Sequence, residues 1–326
     1  MSEASHNDPP EATAEMRKFS VVVCTRNRAH FLDETLDSVL AQEYPKDRYE
    51  LIVVDNDSSA GTRSLVERYV TSDRSIPVSY HLERRPGASF ARNLGVEIAR
   101  YEYVAFLDDD TIAAPEWLAG FDTAIREHEV LAAGGPVEPV LEPGVELPPW
   151  WNDVKNLFGF DHAHLYPGRR VVTIRWPLWL GACNSVYSKR LLQDYGGFRT
   201  DCGPVGRRYR VAEDVDLNVR LESAGVPIYF VSDAWIKHRV TADRLTRRYI
   251  WRRMYCAGVT DAHAWAMLGG RSGAVSLREL GRAARGLLAR EPARTTAGCR
   301  LAYVVGYLRK RWTIALAERL GRWPSE

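Results

Sequence analysis

Residues 103–111 carry the sequence Tyr-Val-Ala-Phe-Leu-Asp-Asp-Asp-Thr, an apolar run followed at once by three carboxylates. A short apolar run bounded by polar residues is typical of a buried β-strand. In an open α/β sheet, ligands bind beyond the carboxyl ends of the strands. This stretch therefore predicts a buried strand that presents Asp108, Asp109 and Asp110 to a ligand.

Strand and helix patterns alternate along the chain before this stretch. Apolar runs at 19–24, 51–55 and 76–82 predict strands, and amphipathic segments at 30–42 and 88–100 predict helices. Strands that alternate with helices of this length form crossover units. The sequence thus predicts an α/β fold with a mostly parallel central sheet flanked by helices.

The pattern changes in the second half of the chain. Residues 136–177 contain seven prolines and are expected to form a long irregular excursion, of a length typical of lids and binding loops. A helix at 211–224 and a strand at 228–231 follow, and the segment 276–322 is expected to be helical. This half therefore predicts a loop-rich region followed by helices.

Composition narrows the class of protein. With 326 residues, 45% hydrophobic and 26% charged, the chain can bury a sizeable core. From Arg239 to Glu326 it has 18 Lys/Arg against six Asp/Glu, so the C-terminal quarter is strongly basic and suits an anionic partner. Only six of its 44 basic residues are lysine, which is typical of a GC-rich, bacterial genome. The five cysteines include no Cys-x-x-Cys pair, which favours a reducing compartment over a zinc site or a disulfide framework.

The ends of the chain bear on its localisation. The first 18 residues are polar and acidic and predict a disordered tail, without the basic start and apolar stretch of a signal peptide. The longest apolar run near the other end, 301–308, is too short to span a bilayer. These features predict a cytoplasmic protein, or one that lies on the inner face of the membrane.

Three predicted strands end in polar residues, at 25–28, 55–58 and 108–111. The carboxylate triplet is the strongest of these signals. Because adjacent like charges repel, at least one pKa is expected to rise unless a cation binds. Mg²⁺ and Mn²⁺ are the hard cations that carboxylates and phosphate oxygens prefer. The alternative is an exposed acidic turn that caps the helix following Pro115.

Several spaced segments together resemble the family 2 glycosyltransferases of the GT-A type. Phe19–Arg28 resembles the family's opening strand and nucleotide loop, Ile52–Ser58 its VVDDGS segment, and Phe106–Asp110 its D-x-D motif. The remaining matches are Arg85–Gly95, Gly181–Asn184, Gly196–Phe198 and Glu213–Asp214. Their order and spacing hold from about residue 19 to 260. The chain departs from the pattern at Asn56-Asp57, where the family often has Asp-Gly.

The resemblance implies a domain division and an activity. A disordered tail (1–18) precedes a GT-A domain (19–262), which has a nucleotide-binding half (19–135) and an acceptor half (136–262). A basic helical region (263–326) follows. The implied enzyme is an inverting glycosyltransferase that uses Mn²⁺ or Mg²⁺ and moves a sugar from a nucleotide sugar, UDP-sugar favoured, to a hydroxyl acceptor. That acceptor would be a glycan, a lipid carrier or a natural product, and no nucleic acid is expected as a partner.

The resemblance also implies a role for individual residues of the nucleotide-binding half. The implied nucleotide-sugar-binding residues are Thr25, Asn27, Asp55, Arg85, Arg92 and Asp108. Asp55 would accept a hydrogen bond from a base such as uracil. Asp110 and His238 would hold the metal, although a single histidine is as often structural. Of the three aspartates of the triplet, Asp109 is expected to show the mildest effect of substitution.

In the acceptor half, Asp214 is the implied general base, which takes the proton of the acceptor hydroxyl as that hydroxyl attacks the sugar. Trp179, Asn184 and Glu213 would line the acceptor site. The alternative is that Glu213 and Asp214 only complement the dipole at the start of a helix.

Two other functions stay open. A nucleotidyltransferase that makes sugar nucleotides would share the sheet and the acidic site, but it usually has a Gly-rich, Lys-containing loop where this chain has Thr25–Arg28. The basic C-terminal helices suit a membrane-surface or nucleic-acid binding protein, and a basic amphipathic face favours the membrane. The arginine-rich segment 244–253 could bind diphosphate, phospholipid headgroups or nothing; it is expected mainly to form a solvated face, although arginine clusters suit phosphate geometry.

Overall fold

The computed structural model describes residues 15–59, 61–72, 75–154, 170–203, 211–269, 285–288 and 290–320. Most of the predicted disordered tail, 1–14, lies outside the described residues, as do 276–284 of the predicted C-terminal helix. The strands are β1 (Phe19–Thr25), β2 (Tyr49–Asp55), β3 (Val78–Leu82), β4 (Tyr103–Asp108), β5 (Thr111–Ala113), β6 (Ala132–Gly134), β7 (Val137–Leu141), β8 (Val171–Ile174), β9 (Asn184–Ser188), β10 (Ile228–Val231) and β11 (Ile236–Val240).

The helices are α1 (Ala29–Leu40), α2 (Thr62–Val70), α3 (Ala88–Ile98), α4 (Trp117–His128), α5 (Trp151–Val154), α6 (Lys189–Asp194), α7 (Glu213–Ser223), α8 (Arg247–Met267) and α9 (Ala293–Arg319). A 3₁₀ turn, Ala242–Leu245, precedes α8.

Among the described residues, an eight-stranded sheet forms the centre of the fold, in the order β3-β2-β1-β4-β9-β6-β10-β8. Strands β3, β2, β1 and β4 are mutually parallel, and β6 is parallel to β10. Strands β9 and β8 pair antiparallel with their neighbours. The predicted α/β class, with a mostly parallel central sheet flanked by helices, is confirmed.

The register of this sheet brings the polar strand ends side by side. Strand β1 pairs with β2 so that Thr25 lies opposite Asp55, and with β4 so that Cys24 lies opposite Asp108. Strand β9 enters from the other direction, and its first residue, Asn184, pairs near the end of β4. Residues from four strands therefore share one edge of the sheet, where an α/β fold places its ligands.

Both faces of the sheet are covered by apolar side chains. Val21 and Val23 of β1 point to a cluster that includes α1 and α4, whereas Val22 points to a cluster on the opposite face that includes α3 and α7. All three valines are fully buried. Burial on both faces explains why the strand sequences are continuous apolar runs without alternation.

A second sheet of three strands, β5-β11-β7, carries His238 to the site. Strand β11 pairs antiparallel with β5, so that His238 lies opposite Thr111, the residue after the triplet. Alternation along β11 buries Ile236, His238 and Val240. The sequence placed His238 after a strand, but the residue lies within one, because β5 and β7 complete a sheet around it.

The region 136–177 contains more regular structure than its prolines predict. Strand β7 pairs parallel with β11, and β8 pairs antiparallel with β10. The partner strands β11 and β10 lie far from β7 and β8 in sequence, so no local sequence pattern predicts these pairings. Pro139 is tolerated because β7 is an edge strand of its sheet. Residues 155–169 lie outside the described part of the chain.

Helices α8 and α9 pack closely because glycines stand at their contact. A Cβ atom on Gly258 would lie 2.0 Å from the carbonyl oxygen of Tyr303, and one on Gly306 would lie 2.1 Å from that of Tyr255. The predicted boundary at residue 262 falls within α8, and the division into domains stays a prediction. In the described part of the chain, none of the helices has both the length and the apolar character that crossing a bilayer requires.

Candidate active site

A cavity of about 760 Å³ opens at the edge where the strand ends meet. Eight of the twelve predicted site residues line it: Thr25, Arg92, Asp108, Trp179, Asn184, Glu213, Asp214 and His238. The other four, Asn27, Asp55, Arg85 and Asp110, are not among its lining residues. The structure therefore brings together residues from the two predicted halves of the chain.

One wall of the cavity is built on the carboxylate triplet, and two arginines bind its buried end. Arg28 donates from Nη1 to Asp109 Oδ1 (3.2 Å) and to Asp110 Oδ2 (2.9 Å). Arg244 donates from Nη2 to the same Asp110 oxygen, at 2.7 Å. Because Asp110 is only 1% exposed, these arginines supply most of the stabilisation that water would otherwise give its charge.

The triplet divides into carboxylates with opposite pKa shifts. Burial raises the pKa of Asp109 to about 6; Asp110 and Asp108 add to the rise, while Arg28 opposes it. Burial also acts to raise the pKa of Asp108, but nearby positive charges, that of Arg92 foremost, outweigh burial and hold it below its usual value. The expected consequence of three adjacent carboxylates, a raised pKa at one of them, is therefore present at Asp109.

Asp109 is more embedded than its predicted tolerance of substitution would suggest. It is 4% exposed, and its Oδ2 accepts a hydrogen bond from Thr25 Oγ1 at 2.7 Å. Its backbone carbonyl oxygen accepts from Thr35 Oγ1 at 3.0 Å. These contacts tie the end of β4 to β1 and α1.

His238 and Asp110 direct two acceptor atoms towards each other. His238 Nδ1 lies 3.0 Å from the carbonyl oxygen of Arg239, which can only accept, so Nδ1 carries the proton. The contact of Nδ1 with Arg244 is longer, at 3.4 Å. Nε2 then presents a lone pair 3.5 Å from Asp110 Oδ1, a buried atom without a hydrogen-bond partner among the described residues. Burial lowers the pKa of His238, which favours this neutral ring. A neutral imidazole nitrogen and a carboxylate oxygen this close fit a divalent cation.

A cysteine that the sequence did not indicate also reaches this place. Ligand atoms of Asp108, Cys183 and His238 lie within 4.8 Å of one another. Burial raises the pKa of the Cys183 thiol well above its usual value, so the sulfur stays protonated. A thiol is a soft donor, whereas Mn²⁺ and Mg²⁺ prefer oxygen, so the carboxylates and the imidazole fit the expected ion and the thiol does not. The sequence signal for Cys183 is only its place in Gly181–Asn184.

A second wall begins at the N-terminus of α7, where Glu213 and Asp214 are the first two helical residues and line the same cavity. Arg92 of α3 joins this wall to the triplet. Its Nη1 donates to Glu213 Oε1 at 2.5 Å, and its Nη2 to Asp108 Oδ1 at 3.1 Å. Since the Arg92 side chain is 8% exposed, its charge is buried between two carboxylates.

Asp214 is held mainly by the backbone. Its Oδ1 accepts from the amide of Val215 at 2.8 Å, and its Oδ2 accepts from the amide of Ala182 at 3.2 Å. Burial, followed by the negative charge of Glu213, raises the pKa of Asp214 to about 6, although Arg92 acts to lower it. This carboxylate can therefore gain and lose a proton close to neutral pH.

Two of the predicted nucleotide-binding residues hold loops together instead of facing the cavity. Asn27 has a φ of 58°, a left-handed conformation that asparagine tolerates, and its Oδ1 accepts from the amide (2.7 Å) and hydroxyl (2.9 Å) of Ser59. Asp55 accepts from the amide of Ser58 (2.8 Å) and the hydroxyl of Tyr80 (2.9 Å). Both residues fix the loops that follow β1 and β2.

The loop before α3 contains Arg85, a predicted nucleotide-binding residue. Its backbone is held by Asn56, which was not among the predicted site residues. Arg85 pairs with Glu83 at 2.6 Å, and its side chain is 65% exposed. Asn56 lines the cavity, accepts from the amide of Gly87 at 2.8 Å and donates to the carbonyl oxygens of both Glu83 and Arg85. Its sequence signals are its place in the polar strand end 55–58 and the fact that it stands where the family pattern often has an aspartate.

The predicted acceptor residues differ in how their side chains are used. Trp179 lines the cavity and stacks on Trp176, with ring centroids 5.6 Å apart and planes 23° from parallel. Asn184 accepts from Trp117 Nε1 at 2.8 Å and donates to two backbone carbonyl oxygens, at 3.0 and 2.8 Å. Its amide is therefore engaged within the protein, and Asn184 reaches the cavity as part of a rigid wall.

Three residues before and within α8 were expected to be solvated but line the cavity. Arg244, Tyr249 and Arg253 close it from the side of the basic C-terminal region. The signal was the density of arginines in 244–253. It did not show which of them face inwards, because that depends on how α8 packs.

The mixed α/β fold, with its mostly parallel central sheet and flanking helices, is of the GT-A type. Residues 20–179 match the model of the family described as glycosyl transferase family 2. Residues 20–179 therefore form a glycosyl transferase family 2 domain, and the enzyme class of this domain is glycosyltransferase.

Individual relatives agree with the family. The glycosyltransferase AglE of Haloferax volcanii is 32% identical over 126 residues, which cover 39% of this chain and 41% of the length of that relative. The succinoglycan biosynthesis protein ExoM of Rhizobium meliloti is 28% identical over 261 residues, which cover 77% of this chain and 76% of the length of ExoM. Among solved structures, the mannosyltransferase PcManGT of Pyrobaculum calidifontis, in complex with GDP-Man and Mn²⁺, shares the fold. Its TM-score is 0.62 at 21% identity, over 96% of this chain and 89% of that one.

Proposed function

We propose that the protein is an inverting, metal-dependent glycosyltransferase that moves a sugar from a nucleotide-sugar donor, a UDP-sugar in the first instance, to a hydroxyl acceptor. The observation that carries the proposal is one cavity with two unlike acidic walls. One wall carries the triplet and His238, whose Nε2 lies 3.5 Å from the buried Oδ1 of Asp110, and the other has Asp214 with its pKa raised to about 6. An inverting transfer needs these two groups on opposite sides of the reacting sugar.

Asp110 and His238 are the proposed ligands of Mn²⁺ or Mg²⁺. When bound, the cation would neutralise the charge that gathers on the departing diphosphate. Asp108, which Arg92 keeps ionised, is proposed to contact the ribose side of the donor. Asp110 Oδ1 and His238 Nε2 support the assignment because they are two acceptors 3.5 Å apart in a buried place.

The donor is proposed to lie along the strand ends. Thr25 and Arg92 line the cavity there. Asn27, Asp55 and Arg85 are proposed to shape the loops around the nucleotide, with Asp55 accepting from the base. The solved mannosyltransferase of this fold was in complex with GDP-Man and Mn²⁺, which supports testing guanine as well as uracil donors.

Asp214 is the proposed general base. Two backbone amides orient its carboxylate, and a pKa of about 6 leaves most of it ionised at neutral pH while keeping it basic enough to take a proton. Glu213 contributes negative charge beside it. The Trp176–Trp179 stack offers the acceptor a flat apolar surface, against which a sugar or another ring can pack.

The proposed acceptor is a glycan end, a lipid carrier or a natural product, which the enzyme meets in the cytoplasm or at the inner face of the membrane. The basic side of the cavity, Arg244 and Arg253, suits a phosphate group on either the donor or the acceptor.

A thermal-shift screen tests the proposal. The protein is heated with UDP-, GDP- and TDP-sugars, each with Mn²⁺ and with EDTA. We expect one nucleotide class to raise the melting temperature in Mn²⁺ and to lose most of that effect in EDTA, because ligand binding stabilises the folded state. The Asp110→Asn variant should lose the Mn²⁺ dependence. If no nucleotide sugar gives a metal-dependent shift, the proposal is wrong.

A further inference from the structure

Helix α9 is apolar on two sides, and its packing against α8 accounts for only one of them. Val304, Tyr307 and Ile314 are buried. On another side, Val305, Trp312, Leu316 and Leu320 are exposed by 43, 67, 43 and 57%; we call these four the outer stripe. Their spacing of seven, four and four residues places Val305, Trp312 and Leu316 on one face of α9, and Leu320 follows as its C-terminal cap. Exposed apolar side chains that lie side by side mark sites of interaction with a protein or a membrane.

A cationic groove lies between the same two helices. Its volume is about 540 Å³, and its lining residues are Arg248, Trp251, Arg252, Tyr255 and Arg309. Arg309 donates to the Tyr255 hydroxyl at 2.8 Å, which fixes its guanidinium at the mouth of the groove. Because Arg309 precedes Trp312 by three residues, it lies beside the outer stripe, and groove and stripe form one continuous surface.

We propose that the cationic groove and the outer stripe dock the protein on the surface of an anionic phospholipid bilayer. Lipid phosphates would bind the arginines of the groove, whose planar forks match phosphate geometry. The outer stripe would enter the boundary between headgroups and acyl chains, with Trp312 at the depth where indole rings concentrate. This docking goes beyond the proposed transfer reaction and does not depend on it.

The combination of positive charge and apolar surface favours an anionic bilayer over a second copy of the chain or a nucleic acid. A two-fold dimer through this surface would gather Arg248, Arg252 and Arg309 of both copies, and the described residues that line the groove include no carboxylate to pair with them. A nucleic acid would match the groove but would leave the aliphatic side chains of the stripe without an apolar partner. An anionic bilayer supplies phosphates and acyl chains next to each other.

The position of α8 links this surface to the cavity. Tyr249 and Arg253 of α8 line the cavity, whereas Arg248 and Arg252 line the groove. A helix with its side chains is roughly 10 Å across, so a docked enzyme would hold its cavity close to the lipid surface. An acceptor carried by a lipid would then lie beside the wall of α7, which carries the proposed base Asp214.

Vesicle binding by the full chain tests this docking. The protein is sedimented with vesicles of phosphatidylcholine plus phosphatidylglycerol and with vesicles of phosphatidylcholine alone, at low and at high salt. We expect binding to the anionic vesicles only, weaker at high salt. The variants Arg248→Glu/Arg252→Glu and Trp312→Ser/Leu316→Ser should each lower the affinity by at least about tenfold.

A matched control carries the same change of charge elsewhere. Arg63→Glu/Arg190→Glu alters two exposed arginines on α2 and α6, away from α8 and α9, and should bind like the unmodified protein. As a second measurement, brominated phosphatidylglycerol should quench the fluorescence of the unmodified protein more than that of Trp312→Phe.

Defined results would overturn the docking. It fails if the unmodified protein ignores anionic vesicles, if the stripe variant binds as well as the unmodified protein, or if the control loses binding equally. It also fails if the stripe variant only converts a dimer to a monomer in light scattering, or if an oligonucleotide displaces the protein from vesicles. The nucleotide-sugar thermal shift is measured on every variant; its absence together with normal vesicle binding would refute the transferase proposal alone.

Discussion

The two walls of the cavity treat their carboxylates in opposite ways. On the wall of the triplet, Asp108 accepts a hydrogen bond from Arg92 and its pKa lies below the usual value. On the wall of α7, Asp214 is held by two backbone amides beside Glu213, and its pKa is raised to about 6. Burial acts in the same direction on both, so the sign of the shift is decided by which charges stand next to each carboxylate.

This difference suits a division of labour. A carboxylate that stays ionised can hold a cation or orient a ribose, and a carboxylate near neutrality can accept a proton. Arg92 is the link between the walls, because it contacts both Asp108 and Glu213. The contrast can therefore be tested by four substitutions in turn. They remove the proposed base (Asp214), the arginine between the walls (Arg92), the proposed cation ligand (His238) and the charge beside the base (Glu213).

Removing the base is expected to have the largest effect. Asp214→Asn should lower kcat by roughly 10³-fold, within the range of about 10²–10⁴ that general bases contribute, because the amide cannot take the acceptor proton. The donor thermal shift should persist. Steady-state kinetics at saturating donor and metal measure the effect, and Asp194→Asn, an exposed aspartate on α6, is the control. A loss of less than tenfold would contradict the assignment.

Removing the link is expected to act on stability. Arg92→Leu should lower the free energy of unfolding by roughly 3 kcal/mol, because the buried Glu213 and the partly exposed Asp108 would lose the positive charge that lies between them. Urea denaturation at neutral pH measures the loss, which should shrink in acid as Asp108 becomes protonated. The exposed Arg190→Leu serves as the comparison, and equal stabilities of the two variants would show that Arg92 is not a structural bridge.

Removing the cation ligand is expected to change the metal requirement. His238→Ala should raise the Mn²⁺ concentration for half-maximal activity by roughly 10–100-fold, as losses around metal sites commonly do. His128→Ala, an exposed histidine at the end of α4, should leave the titration unchanged. A His238→Ala titration that overlays that of the unmodified protein would remove His238 from the metal site.

The smallest effect is a shift of the pH profile. For the unmodified protein, kcat/KM should rise as the pH increases through about 6, because Asp214 must be ionised to act as a base. Glu213→Gln should move this limb to lower pH: a negative charge that raises the pKa is removed, and Arg92 continues to lower it. Kinetics across the acid range at saturating metal decide the matter. If the acid limb of the kcat/KM profile stays in place or moves to higher pH in Glu213→Gln, a group other than Asp214 controls it.

Much of the fold was predictable because its signals are local. The apolar run 103–107 and the carboxylates that follow it indicate a buried strand with a polar end, and β4 has this form. Parallel strands must place their carboxyl ends at one edge, so the meeting of Thr25, Asp55 and Asp108 follows from the alternating pattern alone. The family resemblance adds the expectation that Asp214 faces this edge.

The parts that escaped prediction depend on contacts between distant segments. Strand β7 is unremarkable by itself and exists because β11, about a hundred residues later, pairs with it. Cys183 reaches the cavity through the packing of β9 beside β4, and Arg253 through the way α8 lies against the domain. No local pattern reports such pairings, because their free energy comes from partners that the segment itself does not contain.

By itself, then, the sequence determined the alternation of strands and helices up to β4, the apolar character of these strands and the edge at which the acidic residues gather, since these follow from periodicity and strand direction. Only the tertiary structure decided how each polar group is used. It tied Asn184 to Trp117, and it left Asp110 Oδ1 facing His238. It also set the opposite pKa shifts of Asp108 and Asp214. The physical reason is that burial and neighbouring charge are properties of a place in the fold, which a residue acquires only when the chain is packed.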